Sequence, residues 1–163
     1  MTRIVVVADT HVRPGGSRQL PAAVYDYLES AELILHAGDV LTRDLLDELA
    51  GFAPVEAVLG NNDDELLGIL PETRLVGVGG YRIAMIHDSG ERAGRARRMR
   101  KRFGDADMVV FGHSHQPCDE EGDDGQRLFN PGSATWKRLA PTHTIGLLDV
   151  EGGALAAHRI VVV

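Results

Sequence analysis

The sequence predicts an α/β domain built around a largely parallel sheet, and three observations carry that expectation. Short, continuous apolar runs alternate with segments of helical periodicity, and each early run stops at a polar turn. The chain has 163 residues, 44% of them apolar and 25% charged, which suits one ordinary domain spanning 1–163 with its own core.

Arg3 to Ala8 is a β-branched run of the kind buried on both faces of a sheet, and it ends at Asp9 and His11. Pro14, Gly15 and Gly16 mark a loop. From Ser17 to Ser30, Leu20, Val24, Tyr27 and Leu28 recur at helical spacing, with Pro21 where a first turn tolerates it. Leu33 to Leu35 predicts a second strand ending at His36-Ala37-Gly38-Asp39. Thr42 to Ala50 predicts a capped helix, and Val55 to Leu59 a third strand ending at Gly60-Asn61-Asn62-Asp63. Ligands of such sheets gather outside the carboxyl ends of the strands, so Asp9, His11, Asp39 and Asn61 are expected on one rim.

The second half has a different rhythm. Thr73 to Val78 and Tyr81 to Ile86 flank Gly79-Gly80 as a hairpin, with His87 at the far strand end. A basic helix is expected from about Arg92 to Phe103, and Met108 to Phe111 is a strand feeding Gly112-His113-Ser114-His115. Glu120 to Gly125 is acidic and turn-rich. Thr142 to Val150 and Ala154 to Val163 form a closing antiparallel pair.

Charge and composition exclude several function classes. A net charge of -7 argues against a general nucleic-acid binder, which needs a broad positive surface. The N-terminal apolar run stops at Asp9, too early for a signal peptide, and no stretch approaches the roughly 18 apolar residues of a spanning helix. A cytoplasmic protein without a membrane partner is expected. The single cysteine, Cys118, agrees with a reducing compartment and reads as an incidental loop residue.

Seven polar residues stand at predicted strand ends: Asp9, His11, Asp39, Asn61, His87, His113 and His115. Two carboxylates, one amide oxygen and four imidazoles suit manganese, iron, cobalt, nickel or zinc better than calcium or magnesium alone. Asp-x-His or His-x-His by itself is weak, and an aspartate after a strand is often a helix cap. Seven in order, each after a strand, are a strong signal. His36, His143 and His158 are isolated and are read as packing or surface residues.

Asp9-Thr10-His11, Gly38-Asp39, Gly60-Asn61, His87 and Gly112-His113-Ser114-His115 together resemble the motif series of the calcineurin-like metallophosphoesterase superfamily. The similarity is greatest to its small YfcE-type phosphodiesterases, whose Asn-Pro-Gly-Ser segment is matched by Asn130 to Ser133. The resemblance implies a four-layer α-β-β-α sandwich of two packed mixed sheets. It implies that Asp9, His11 and His115 hold one metal, that Asn61, His87 and His113 hold another, and that Asp39 bridges both. Asp39, Asn61 and His87 then carry catalysis, with metal-bound hydroxide attacking a small phosphate ester in line. Two divalent ions per chain are implied, manganese first, with nickel, iron, cobalt or zinc as alternatives.

Two positions depart from the family pattern. Asn62 stands where many relatives carry a histidine that assists the leaving group, and Asp88 follows His87 where glycine is common. Asp63 reads as a cap for Asp64 to Gly68. On the basic helix, Ala93, Ala96, Met99 and Phe103 form the apolar side, so its cations read as a solvated face, with an anion-binding surface as the sharper alternative. A competing function is an interaction scaffold like the retromer subunit related to these enzymes. That branch has lost the histidine matching His11. A nuclease is a third reading, disfavoured by the acidic charge, and homo-oligomerisation is left open.

Overall fold

The first apolar run forms β1 (Thr2–Val7), the central strand of one sheet in the computed structural model, which describes residues 1–163. On one side β1 pairs in parallel with β2 (Leu33–His36), which pairs in parallel with β3 (Val55–Ala57). On the other side it pairs antiparallel with β9 (Thr144–Glu151), which carries β10 (Ala154–Val162) at the sheet edge. The second sheet has the order β4 (Thr73–Val78), β5 (Tyr81–Ile86), β6 (Met108–Val110), β8 (Arg127–Asn130), β7 (Cys118–Glu121). Its three inner strands are parallel, and its outer strands, β4 and β7, are antiparallel to their neighbours.

Strand alternation explains the layering. Ile4 and Val6 of β1 pack with Ile83, Met85, Met108, Val110 and Phe129 of the other sheet, so these residues form the seam between the sheets. Val5 and Val7 face the opposite way, toward Val24 and Leu28 of α1 (Ala22–Leu28) and Leu45 and Leu49 of α2 (Arg43–Ala50). On the outside of the second sheet, Ala84, Ile86, Val109 and Leu128 cover Met99 of α3 (Arg95–Arg102). The result is a four-layer sandwich of helices, sheet, sheet and helix, and both sheets are mixed. No helix is long and apolar enough to cross a membrane.

Several local expectations are corrected. α1 begins at Ala22, because Pro21 takes the N-cap position in an extended conformation. α3 begins at Arg95, after Gly94 in the left-handed region at φ 71°. Thr42 occupies the N-cap position of α2, yet its side chain makes no capping hydrogen bond. β7 and β8 were not legible as strands. Cys118-Asp119-Glu120-Glu121 is an acidic edge strand, and Arg127 to Asn130 is too short to show alternation.

Candidate metal centre

The carboxyl ends of β1, β2 and β3 meet those of β5 and β6 at one rim, and this rim brings all seven predicted residues together. Asp9, His11, Asp39, His87 and His115 are buried there, His113 is half-buried and Asn61 is exposed. Five of the seven, Asp9, His11, Asp39, His113 and His115, have positive φ between 48° and 66°. Left-handed backbone is costly for residues other than glycine and persists where surrounding structure enforces it, commonly at functional sites. Here it occurs in the loops that follow β1, β2 and β6.

The preceding glycines are steric requirements. A Cβ at Gly60 would lie 2.1 Å from the Asp39 nitrogen and 2.3 Å from its Oδ1. At Gly38, with φ 91°, it would lie 2.5 Å from His87 Nδ1. The Gly-Asp and Gly-Asn pairs of the sequence therefore let neighbouring strand ends crowd together.

The polar atoms converge closely. Asp9, His11 and His115 bring one ligand atom each within 4.8 Å of one another, as do Asp9, Asp39 and His87. Asp39 Oδ2 lies 3.3 Å from His11 Nε2 and 3.5 Å from His87 Nε2. Asn61 Oδ1 lies 3.0 Å from both His87 Nε2 and His113 Nδ1. His87 donates from Nδ1 to the Ala37 carbonyl at 2.7 Å, and His115 Nδ1 donates to the Trp136 carbonyl. Both bonds fix the tautomer that leaves Nε2 free to ligate.

Three buried atoms of this cluster, Asp9 Oδ2, His11 Nε2 and His115 Nε2, have no hydrogen-bond partner. Such groups cost free energy unless something satisfies them. A cation bound by all three would do so, and the mixed oxygen and nitrogen donors fit a divalent transition metal.

Electrostatics favour the same occupant. Burial pushes Asp9 up to about 7, with the neighbouring Asp39 charge adding to the rise against the opposing pull of His87. Burial also acts to raise Asp39, but hydrogen bonding and charge from His87, together with two bonds from Asn62, hold it below the usual carboxylate range. His11 falls to about 4, chiefly by burial, and is therefore a neutral ligand at pH 7. Burial lowers His115 as well. His87 is raised, because its bond to Asp39 and the charges of Asp9 and Asp39 outweigh its burial. Two buried carboxylates side by side require positive charge nearby, and a metal supplies it more completely than one histidine.

Supporting residues that the sequence alone did not reveal surround this cluster. Asp63 is no helix cap: its buried carboxylate accepts the backbone N–H groups of Asp39, Leu41 and Gly60 at 3.0, 2.8 and 2.7 Å. Ser133 donates to the Asp9 carbonyl at 2.8 Å, and Asn130 donates to the Gly112 carbonyl at 2.9 Å. The Asn-Pro-Gly-Ser segment thus ties two ligand loops together, and its presence in the motif series was the available signal. His36 is fully buried and outside the cluster, with Nε2 2.9 Å from Thr10 Oγ1.

The two departures also have defined contacts. Asn62 donates through its backbone and its side-chain amide to the two Asp39 oxygens, at 2.9 and 2.8 Å. Asp88 accepts the Gly90 N–H at 2.7 Å, while its other oxygen lies 4.0 Å from His113 Nε2. The basic helix is partly structural: Arg98 folds back to donate to the carbonyls of Ser89, Glu91 and Ala93.

Two mixed sheets that present carboxylate, amide and imidazole groups at a shared rim define a metal-site protein of the four-layer α/β class. The chain matches the calcineurin-like phosphoesterase superfamily domain over residues 2–153, and it belongs to that family of metallophosphoesterases. It is 38% identical over 160 residues to a probable metallophosphoesterase of Methanothermobacter thermautotrophicus, across 96% of this chain and 91% of the relative. A phosphodiesterase of Methanocaldococcus jannaschii is 26% identical over 162 residues, across 91% of this chain and 93% of the relative. Among solved structures, Vps29 of Chaetomium thermophilum shares the fold at TM-score 0.81 and 22% identity, covering 98% of this chain and 95% of that one. Vps29 of Entamoeba histolytica, in a complex with zinc, gives 0.79 at 25% identity over 99% and 98%.

Proposed function

We propose that this chain is a dinuclear metal-dependent phosphoesterase that prefers phosphodiesters to monoesters. The observation that carries the reading is the trio of buried, partnerless atoms on Asp9, His11 and His115. With Asp39 these three residues would hold one ion. Asn61, His87 and His113 would hold a second, and Asp39 would serve both, a reading supported by its Oδ2 lying 3.3 Å from His11 Nε2 and 3.5 Å from His87 Nε2. Divalent ions bound there would supply Lewis acidity and acidify water for attack on a phosphate ester.

The protein's own contribution is placement. Asp63 and Ser133 fix the loops that carry Asp39 and Asp9, while Ala37 and Trp136 orient the rings of His87 and His115. Asp39, Asn61 and His87 face the reacting phosphate and are the residues on which turnover depends. No side-chain hydroxyl is placed as a nucleophile: Ser133 is committed to Asp9, and Ser114 Oγ lies against Asn130 at 3.2 Å. A metal-binding interaction scaffold, the alternative reading, would satisfy the buried Asp9, His11 and His115 atoms equally, so hydrolysis and not metal binding separates the two.

Metal analysis of protein purified without chelator tests the proposal, together with hydrolysis of bis(p-nitrophenyl) phosphate and p-nitrophenyl phosphate. Two equivalents of metal per chain are expected, manganese being the proposed ion, with faster turnover of the diester. Binding of no more than one equivalent at saturation, or hydrolysis that survives complete metal removal, would overturn it.

A further inference from the structure

A cleft of about 270 Å³ adjoins the cluster at His11 and is lined by His11, Asn62, Arg13, Gly16, Ser17 and Arg18. Arg13 is exposed and Arg18 half-buried. Beside this cleft stands Trp136, whose ring meets His11 edge-on at 5.0 Å and His115 at 5.1 Å. The Arg18 guanidinium lies 4.1 Å from the Trp136 ring centroid, and the Arg138 guanidinium 4.7 Å from it. Both cations therefore lie against the same ring that packs on the candidate ligands.

None of these cations has a carboxylate partner in the protein. The chain's arginine–carboxylate pairs engage Arg3, Arg74, Arg82, Arg92, Arg100 and Arg127, and none involves Arg13, Arg18 or Arg138. Arg13 and Arg18 line the same cleft as His11, so their charge faces whatever enters it. Arg138 also holds a left-handed backbone, φ 49°, and is exposed beside Leu139, while Ala140 after them is buried. Guanidinium groups match phosphate oxygens through paired N–H donors, and held near an aromatic face they are oriented for that role.

We propose that Arg13 and Arg18, with Arg138 adding charge from beside Trp136, form a subsite for a second phosphate, so that the substrate is a phosphate ester bearing another phosphate beyond the scissile one. The assignment rests on the phosphoesterase reading for the position of the scissile group, and it adds the substrate class. A nucleotide ester with a distal phosphate has the required chemistry. The scissile phosphate would lie against the ions that the aspartate, asparagine and histidine cluster would hold, while the distal phosphate enters the cleft beside His11 and meets the arginines. An ester with a neutral distal group gains nothing from them.

Calorimetric titration separates this idea from the activity itself. Thymidine 3′,5′-bisphosphate and thymidine 5′-monophosphate are titrated into manganese-loaded wild type, Arg13→Gln/Arg18→Gln and Arg13→Lys/Arg18→Lys. Wild type should bind the bisphosphate at least about tenfold tighter, with the preference shrinking as salt rises, as expected for phosphate contacts that release counterions. The glutamine variant should bind both ligands alike, and the lysine variant should recover part of the preference. Equal affinities in wild type, or a preference that survives in the glutamine variant, would overturn the subsite. Should the affinities follow the expected pattern while no metal-dependent hydrolysis is found, the catalytic reading fails and the subsite stands.

Discussion

The Asp63 carboxylate accepts the backbone N–H of Asp39 at 3.0 Å, so the residue proposed to bridge two metals is positioned by an acid twenty-four residues later that holds none itself. The same carboxylate also takes the N–H groups of Leu41 and Gly60, which locks the β2 and β3 loops to each other. Asp63→Ala leaves three N–H groups to find other partners. At about 1 kcal/mol or more each, the expected loss is about 3 kcal/mol, readable as a lower urea midpoint of the metal-free protein. A change below about 0.5 kcal/mol, the scatter of surface substitutions, would show that water replaces the carboxylate without penalty.

Asp39→Asn tests the shared ligand. A neutral amide keeps the size but removes the charge that supports two cations, so metal stoichiometry should fall from two toward one and turnover by about a hundredfold or more. Cys118→Ser is the control. Burial pushes the Cys118 thiol up to about 11, so it is no thiolate at neutral pH, and neither the substitution nor alkylation should alter activity. Normal turnover in Asp39→Asn at saturating metal would remove Asp39 from the mechanism.

His36 should give the protein part of its acid sensitivity. Burial lowers its pKa from 6.5 to about 3, so the folded state binds fewer protons than the unfolded state between those values. Its contribution is complete above pH 6.5 and is lost as pH falls toward 3, and integration between pH 7 and 5 gives about 2 kcal/mol. His36→Gln keeps a donor for Thr10 and cannot titrate. Its stability at pH 7 will differ from wild type, but its loss between pH 7 and 5 in urea titrations should be smaller by that amount. Parallel pH profiles for the two proteins would mean that His36 is protonated in the fold.

Asn62 bears on leaving-group chemistry. Its amide donates to Asp39 and cannot deliver a proton as an imidazolium could, so the leaving oxygen relies on its own acidity, on water or on metal. Rates for matched phosphodiesters at saturating metal should fall steeply as the leaving group changes from acidic phenol to alkyl alcohol. Positioned acid catalysis commonly contributes about 10²–10⁴-fold, and Asn62→His should restore part of it for alkyl esters. A flat series in both proteins, with chemistry shown to be rate-limiting, would show that no acid is missing at this position.

The sequence alone determined the strands that carry ligands and the side each ligand loop would occupy. Continuous runs such as Arg3 to Ala8 encode burial locally, and a polar residue directly after such a run can only emerge at the strand's carboxyl end. The hairpin of β4 and β5 was equally local, fixed by Gly79-Gly80 between two apolar runs. Tertiary structure decided which strands became neighbours: β1 takes β9 from the far end of the chain, and β8 enters beside β6 with only four residues and no pattern of its own. It also decided the work of Asp63, Ser133 and Trp136. A carboxylate that could cap its own turn instead gathers N–H groups from another loop, and a hydroxyl reaches a carbonyl 124 residues away. Such bonds exist only after two sheets have packed and their loops have been brought to one rim, so no local spacing in the chain could announce them.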